Sequence, residues 1–298
     1  MLSVLIPTYN YNVYPLVIAL KSQADVLDIA YEILVLDDGG SLYLEENRKI
    51  NDLENCFFFE NKINSGRSKV RNSLSSRAKF NWLLFLDSDT FPKNSDFIRK
   101  YIQHISPKTE VIYGGIEYQK EEPEKNKLLR WVYGKKRETL SVKKRNKNKY
   151  LTFLTLNFLI KKSVFNSVKF NENIPNLRHE DTLFSYDLYQ NNIPINHIKN
   201  VVIHLGLDDN MVFLKKSKES IEGLFFLLNK NLIDNNYVKL SKYGSIIINL
   251  HLSFLLIFFF KIFEVKIERN LLSKKPNLFL FDFYRLCYFC LLNQKRHV

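Results

Sequence analysis

Four short apolar runs in the first ninety residues each end in a cluster of polar side chains. The runs span 2–6, 32–36, 56–60 and 82–86, and they are followed by the sequences PTYN, DDGG, NKINSGR and DSD. Near-continuous apolar runs of this length are typical of strands in a sheet that is covered on both faces. Since ligands of such sheets bind at the carboxyl ends of the strands, we expect the functional residues to follow the runs.

Helical patterns separate these runs. Apolar residues recur at helical spacing over 13–20, with Pro15 near the start, and 66–79 is a second, more polar helical segment. The alternation predicts an α/β fold, with a mostly parallel central sheet and helices on both faces, over 1–205. Long apolar and aromatic helical segments mixed with lysine then predict a separate C-terminal helical region over 206–298.

The chain is strongly basic, because 44 Lys and Arg residues face 31 Asp and Glu residues, a formal net charge of +13. This balance favours partners that carry phosphate, whether nucleotides, nucleic acids or anionic lipid surfaces. The 3 cysteines are too few for a disulfide framework, which fits a reducing cytoplasm. The N-terminus lacks the charged segment and the cleavage site of a signal peptide, so we expect a cytoplasmic protein that begins with a strand.

Two aspartates one residue apart follow the fourth apolar run, in the sequence LLFLDSDTF. If the backbone stays extended, alternation of side chains turns Asp87 and Asp89 to the same side and Ser88 elsewhere. Such a pair of hard oxygen ligands suits Mg²⁺ or Mn²⁺ bridging a diphosphate. Asp-Ser-Asp-Thr is also good turn chemistry, so a turn or a helix cap is the alternative.

A second acidic pair, Glu180 and Asp181, lies in the sequence RHEDTLFSYDLYQ at the start of a predicted helix. Acids are favoured in a first helical turn, so these two are helix-capping residues or catalytic ones. His204 follows the last predicted strand of the region, in VVIHLG, and is either a structural histidine or a metal ligand.

The ordered motifs SVLIPTYN, VLDDGG, NSGRSKVRN, LFLDSDT, NFLIKKSVF and RHEDTLF resemble those of the family 2 glycosyltransferases of the GT-A fold, over roughly 2–206. The resemblance implies a donor-binding set and a catalytic set. The donor-binding set comprises Pro7, Thr8 and Tyr9 in the first turn, Asp38 for the nucleotide base, Gly66 and Arg71 near the diphosphate, and Asp87 and Ser88. Asp89 is the first metal ligand by this resemblance, with Asp87 and His204 beside it. Asp181 is the general base, with Glu180 next to it.

The same resemblance implies an inverting, metal-dependent transfer of a sugar from a nucleotide sugar, with a UDP-sugar as the expected donor and Mn²⁺ or Mg²⁺ as cofactor. The acceptor would be a glycan or a lipid-linked molecule in the synthesis of cell-surface polysaccharide or lipopolysaccharide. Processive relatives carry a QxxRW sequence after the acidic pair, and the chain has none there. A single addition is therefore expected rather than polymerisation.

Two further segments bear on partners. Basic residues dominate 130–149, which we expect to be a mobile loop or short helices, either a solvated surface or a contact for substrate or lipid. The segment 244–263 is almost long enough to span a bilayer, but Asn249, His251 and Lys261 interrupt it. It is a transmembrane helix, a packed helix or an interfacial one, and the neighbouring cations and aromatic residues favour the interface. We expect a peripheral protein on the cytoplasmic leaflet, whose C-terminal helices could also form a homo-oligomer.

Two rival functions remain at this point. A sugar nucleotidyltransferase would show a glycine-rich loop near the N-terminus, and PTYNYN contains no glycine. A basic nucleic-acid-binding protein would fit the net charge and the aromatic content. The acids at the predicted strand ends disfavour that alternative, because a phosphate backbone would have to lie against them.

Overall fold

The computed structural model describes the backbone of residues 1–296 and the side chains of residues 1–294. The chain forms two compact units. The first, the sheet unit, contains Met1–Gln119, Glu138–Asn173 and Glu180–Gly206. The second, the helical unit, contains Lys120–Arg137, Ile174–His179 and the chain from Leu207 onward. Two short segments of the first two hundred residues thus cluster with the C-terminal helices, and the division into domains at 205/206 stays a prediction.

A seven-stranded sheet is the centre of the sheet unit, with the strand order β3-β2-β1-β4-β8-β6-β9. The strands β1, β2, β3 and β4 are parallel to one another, and β8 runs antiparallel to both of its neighbours. The α/β fold with a mostly parallel sheet is confirmed, including all four predicted strands. The strand bounds are Leu2–Thr8 (β1), Tyr31–Asp37 (β2), Cys56–Glu60 (β3), Trp82–Leu86 (β4), Thr90–Pro92 (β5), Val111–Tyr113 (β6), Ile116–Tyr118 (β7), Asn157–Lys161 (β8), Ile195–His197 (β9) and Val202–His204 (β10).

A second sheet contains three short strands in the order β5-β10-β7. Strand β10 pairs with β5 in the antiparallel direction, and His204 lies opposite Thr90. Each of these strands has 3 residues, too short for a pattern of alternation to be visible in the sequence. This sheet brings the chain after β10 back to the end of β4.

Helices cover both faces of the large sheet. The helix bounds are Tyr14–Asp25 (α1), Leu44–Arg48 (α2), Arg67–Arg77 (α3), Phe97–Gln103 (α4), Leu128–Tyr133 (α5), Val142–Arg145 (α6), Lys162–Val168 (α7), Glu180–Gln190 (α8), Asn210–Asn229 (α9), Lys239–Asn249 (α10), Ser253–Leu271 (α11) and Leu278–Arg296 (α12). Leu16 and Leu20 of α1 join one apolar core with one face of the sheet, and Leu74 of α3 and Phe184 of α8 join the other. Burial of each such side chain contributes about 2 kcal/mol.

The basic segment 130–149 forms short helices, which was one of the two predicted outcomes. One of its cations is not on the surface: Arg145 is 2% exposed, and its guanidinium donates to the carbonyl oxygens of Tyr113, Gly114 and Ile198 at 3.2, 3.2 and 2.7 Å. Gly115, at a φ of +97°, leaves room for that guanidinium, because a Cβ there would lie 2.9 Å from its carbon. Arg145 is therefore a structural residue of the sheet unit.

The helical unit is built around α9, α11 and α12. Asn210, the first residue of α9, fixes the start of α5. Its side-chain nitrogen donates to the Lys125 carbonyl at 3.0 Å, and its side-chain oxygen accepts from the Leu129 backbone amide at 2.8 Å. Phe260 and Leu271 of α11 pack with Phe281 of α12 in one apolar cluster. A separate C-terminal helical region is confirmed.

The apolar segment 244–263 does not form one helix. It is divided between α10 and α11, whose axes differ by 113° at a break of a few residues. Among the described residues, each helix taken singly is too short or too polar to cross a bilayer, whereas this bent pair reaches the length and composition of a span.

Candidate active site

The polar clusters predicted after the strands lie at one edge of the large sheet. Thr8 ends β1 opposite Asp37, and Asp37 in turn lies opposite Glu60 of β3. Asp87 follows β4, the neighbour of β1 on its other side. Since β1 to β4 are parallel, their carboxyl ends meet at this edge. The structure therefore brings together the segments at the ends of β1 to β4, in which nine of the candidate residues lie.

Asp38 holds the loop that leads into α3. Its Oδ1 accepts hydrogen bonds from the backbone amide and the hydroxyl of Ser65, both at 2.7 Å, and its Oδ2 accepts from the Gly66 amide at 2.9 Å. Gly66 has a φ of 92°, a conformation that favours glycine, and directly precedes α3. Asp38 thus fixes the start of the helix that carries Arg71. Its predicted contact with a nucleotide base stays a prediction.

Arg71 connects the two acidic pairs of the sequence. It is 4% exposed, and its Nη2 donates to Asp87 Oδ1 at 2.8 Å while its Nη1 lies 3.5 Å from Glu180 Oε1. Burial alone would lower the pKa of Arg71, but Asp87 and Glu180 outweigh that effect and raise it, so the guanidinium stays charged. Arg67, one turn earlier on α3, lies 3.6 Å from the same Glu180 oxygen.

Asp181 begins α8 together with Glu180, as predicted. Its Oδ1 accepts from the Thr182 amide at 2.7 Å. Burial and the neighbouring charge of Glu180 raise the pKa of Asp181 to about 6. A carboxylate with this pKa is largely ionised at neutral pH, yet it is a stronger base than an ordinary aspartate.

Asp89 is the second of the two aspartates that follow β4. His204 Nε2 is 3.5 Å from Asp89 Oδ2, and the Leu205 amide donates to the Asp89 carbonyl at 2.8 Å. Gly206 presses against the carboxylate, because a Cβ there would lie 2.0 Å from Asp89 Oδ2. Tyr118 packs on the His204 ring, with 5.3 Å between ring centroids. Strands β5 and β10 therefore deliver a carboxylate and an imidazole to one place.

The segment 87–90 is a turn rather than an extended strand end, because the Thr90 amide donates to the Asp87 carbonyl at 3.1 Å and its hydroxyl donates to the same oxygen at 2.7 Å. The argument from alternating side chains was therefore wrong for Asp87, Ser88 and Asp89. The two aspartates have different partners, Arg71 for Asp87 and His204 for Asp89. The turn predicted as an alternative is what separates them.

The first predicted donor-binding segment begins at the end of β1. Pro7 and Thr8 are the last two residues of β1, and Tyr9, which follows them, is 53% exposed. The Thr8 hydroxyl donates to the Tyr11 carbonyl at 3.4 Å. Burial and the charge of Asp89 raise the pKa of Tyr11. Since β1 and β4 are parallel neighbours, the turns that follow them lie side by side at this edge of the sheet.

The side chains at Asp89 suit a divalent cation that binds together with a diphosphate. Within residues 1–296, no three Asp, Glu, His or Cys side chains converge closely enough to hold a metal ion by themselves. Asp89 and His204 supply one oxygen and one nitrogen donor, and Asp87 is engaged by Arg71. Mg²⁺ commonly binds to one or two protein carboxylates and completes its coordination with substrate phosphates and water. The pair fits that arrangement, and the metal role of His204 stays a prediction.

Three residues of this region had no role predicted from the sequence. Arg67 and Gly206 lie inside the motifs NSGRSKVRN and VVIHLG, Tyr11 lies outside any of them, and the contacts that distinguish all three are tertiary. A sequence signal existed only for Arg67, whose spacing of four from Arg71 places both cations on one face of α3. Gly114 and Gly115 pack against protein atoms, among them the Asn200 carbonyl and Arg145.

An α/β unit with acids, arginines and a histidine at the carboxyl edge of a parallel sheet has its polar side chains where folds of this class bind ligands. The sequence matches the family described as Glycosyl transferase family 2 over residues 3–169, more than half of the chain. The protein therefore belongs to glycosyltransferase family 2. No curated protein matches the sequence significantly.

Solved structures with a similar fold share little sequence with the chain. A mannosyltransferase of Pyrobaculum calidifontis, solved with GDP-Man and Mn²⁺, has a TM-score of 0.58 at 10% identity and covers 98% of this chain and 86% of its own. TarS of S. aureus has a TM-score of 0.52 at 20% identity, over 74% of this chain and 39% of TarS. A TarS fragment solved with UDP has a TM-score of 0.49 at 19% identity. The chain spans 65% of that fragment, and 75% of the chain is covered.

Proposed function

We propose that the protein transfers a sugar from a nucleotide sugar to a hydroxyl of a glycan or lipid-linked acceptor, with inversion at the sugar carbon. A UDP-sugar is the first donor to test and a GDP-sugar the second. The observation that carries the proposal is that the site has two acidic centres, and that Arg71 contacts only Asp87 of the first and Glu180 of the second. Asp89 lies with His204, and Asp181 lies with Glu180 at the start of α8.

The donor side is assigned to Asp89 and His204. When the bond between sugar and diphosphate breaks, negative charge develops on the departing nucleotide. A divalent cation held by these two residues would neutralise that charge. In this proposal Asp89 and His204 fix where the diphosphate lies. The similar mannosyltransferase was solved with a nucleotide sugar and Mn²⁺, which supports this choice of donor class and metal.

The acceptor side is assigned to Asp181. A general base works best when its pKa lies near the operating pH, and burial beside Glu180 raises the pKa of Asp181 to about 6. In this proposal the Asp181 carboxylate takes the proton from the acceptor hydroxyl as that oxygen attacks the sugar. Glu180 is the carboxylate that the arginines contact, since Arg67 and Arg71 both lie within 3.6 Å of its Oε1, and the acceptor role is therefore assigned to its neighbour.

Two substitutions separate these roles. We expect Asp181→Asn to keep the rise in melting temperature that UDP or GDP gives with Mn²⁺, and to abolish sugar transfer. Asp89→Ala should lose the Mn²⁺-dependent rise itself. Asp187→Asn is a matched control on the same helix, because burial raises the pKa of Asp187 to about 6 as well. Unlike Glu180, Asp187 forms no ion pair with an arginine among the described residues.

The measurements are thermal shift with UDP and GDP, with Mn²⁺ or with EDTA, and release of nucleotide from nucleotide sugars in the presence of candidate acceptors. Transfer by Asp181→Asn at the rate of Asp187→Asn would show that Asp181 is not the base. The absence of any Mn²⁺-dependent shift with either nucleotide would overturn the donor assignment.

A further inference from the structure

Helices α10 and α11 expose apolar side chains where they meet. Within the helical unit, these residues line the outer surface on both sides of the 113° bend, and we call them the apolar corner. The apolar corner comprises Ile246, Leu250, Leu252, Phe254, Leu255, Phe258, Phe259 and Ile262. Phe254 and Phe258 are 60% and 59% exposed. Soluble proteins rarely expose a contiguous apolar surface of this kind unless it has a partner.

This surface is not the one that holds the helical unit together. The opposite side of α11 carries Ile257, Phe260 and Ile267, which are buried, and Phe260 contacts the ring of Tyr284 on α12 at 5.5 Å. Helix α10 is held at Gly244, where a Cβ would lie 2.4 Å from the Phe289 ring. Helix α11 is therefore apolar on two sides, and only one of them is used for folding.

Cations flank the apolar corner along both helices. Lys239 and Lys242 are exposed at the start of α10, and Lys261, Lys266 and Arg269 are exposed in the second half of α11. Both helices lie wholly within the described residues. Helix α10 contains no acidic residue, and the two acids of α11, Glu264 and Glu268, are half-buried.

Glu264 and Glu268 turn toward the packed side, where Glu268 accepts from the Tyr284 hydroxyl at 2.8 Å. An apolar centre with a cationic border is the pattern of a surface that enters an anionic lipid interface.

We infer that the apolar corner inserts into the interface of an anionic lipid bilayer. The bend places the apolar side chains at the junction of the two helices. Most of the cations lie farther along each helix, and the long side chain of Lys261, between Phe259 and Ile262, can extend to the headgroups while the aromatic rings enter the lipid. A second copy of the same surface is a poorer partner, because a symmetric contact would bring the cationic borders of the two copies together.

The inference does not depend on sugar transfer, and its test is a binding measurement without a substrate. The full-length protein is floated with vesicles of phosphatidylcholine alone and of phosphatidylcholine mixed with phosphatidylglycerol. We expect binding to the anionic vesicles. The double variant Phe254→Ser, Phe258→Ser should bind at least about tenfold more weakly. Phe279→Ser is the matched control and should bind normally, since Phe279 is 82% exposed on α12, outside the apolar corner.

A second pair of variants tests the charge. Lys261→Gln and Lys266→Gln should each weaken binding to anionic vesicles about fivefold, because each cation near such a surface contributes about 1 kcal/mol. Lys49→Gln and Lys108→Gln, at exposed lysines of the sheet unit, should leave binding unchanged.

Failure of the wild type to float with anionic vesicles would overturn the inference, and so would equal binding by the double phenylalanine variant. Light scattering gives the other decisive outcome. A wild type that is dimeric, with no vesicle binding, and a double variant that is monomeric would assign the surface to self-association.

Discussion

Gly206→Ala is the substitution that most directly tests how the Asp89 carboxylate is held. The φ of Gly206 lies outside the left-handed region, so alanine fits the backbone. The added Cβ would lie 2.0 Å from Oδ2, 2.8 Å from Cγ and 3.0 Å from Cβ of Asp89. Since three successive atoms of the side chain are too close, rotation of the carboxylate alone cannot relieve the clash. The whole side chain must move.

The size of the movement sets the size of the effect. Ordinary van der Waals contact begins at 3.4 Å, so the separation from Oδ2 must grow from 2.0 Å by more than 1 Å. That shift separates Asp89 from His204, whose present distance is 3.5 Å. A misplacement of about 1 Å in a catalytic group costs on the order of 100-fold in rate. The global stability should change by less than about 1 kcal/mol, because Asp89 is at the surface of the site rather than in the core.

The assay compares four proteins: the wild type, Gly206→Ala, Asp89→Ala and the double variant. We expect Gly206→Ala to lose most of the Mn²⁺-dependent thermal shift with UDP or GDP while it melts at nearly the wild-type temperature without ligand. In the Asp89→Ala background, Gly206→Ala should add nothing, because there is no carboxylate to displace. The reasoning is refuted if Gly206→Ala keeps the full nucleotide shift, or if the two substitutions are additive.

Three other substitutions test other parts of the sheet unit. Arg145→Met should lower the free energy of unfolding by about 3 kcal/mol in urea titrations, because three buried carbonyls lose their donor, while exposed Lys144→Met should change nothing. Folding raises the pKa of Asp181 from 3.8 to about 6, so the free energy of unfolding falls as the pH rises through that interval, and the loss is complete above it. Asp181→Asn should therefore raise the melting temperature at pH 8 and less so at pH 4. Arg71→Lys should lower transfer while the protein stays folded, because one ammonium group cannot reach both carboxylates as the guanidinium does; normal transfer by this variant would contradict its bridging role.

The sequence predicted those parts of the fold that short-range patterns encode. The strand at Trp82–Leu86 is a continuous apolar run, and polar residues follow it at once, so both its existence and its functional end are visible. The start of α8 at Glu180 was also predicted, because acids are favoured in the first turn of a helix. The candidate site was predicted as a set of motifs and not as a set of contacts.

Contacts between distant segments were beyond the sequence. Nothing in the basic run of 130–149 distinguishes Arg145 from its exposed neighbours, because its burial depends on the gap that Gly115 leaves 30 residues earlier. The packing of α10 on α12 at Gly244 and Phe289 is likewise a contact between distant segments. Local propensity is a weak guide when tertiary packing decides.

The turn at 87–90 explains how one short motif can serve two purposes. If these residues were extended, Asp87 and Asp89 would point the same way and would repel each other when both are charged. In the turn, Asp87 accepts a hydrogen bond from Arg71, and Asp89 lies beside His204. Arg71 is buried and its charge is already shared between Asp87 and Glu180, so it cannot neutralise Asp89 as well. In the proposed function, a divalent cation would balance the negative charge that remains at Asp89 before a diphosphate approaches, which would give a strongly basic chain a use for an acidic turn at this edge of the sheet.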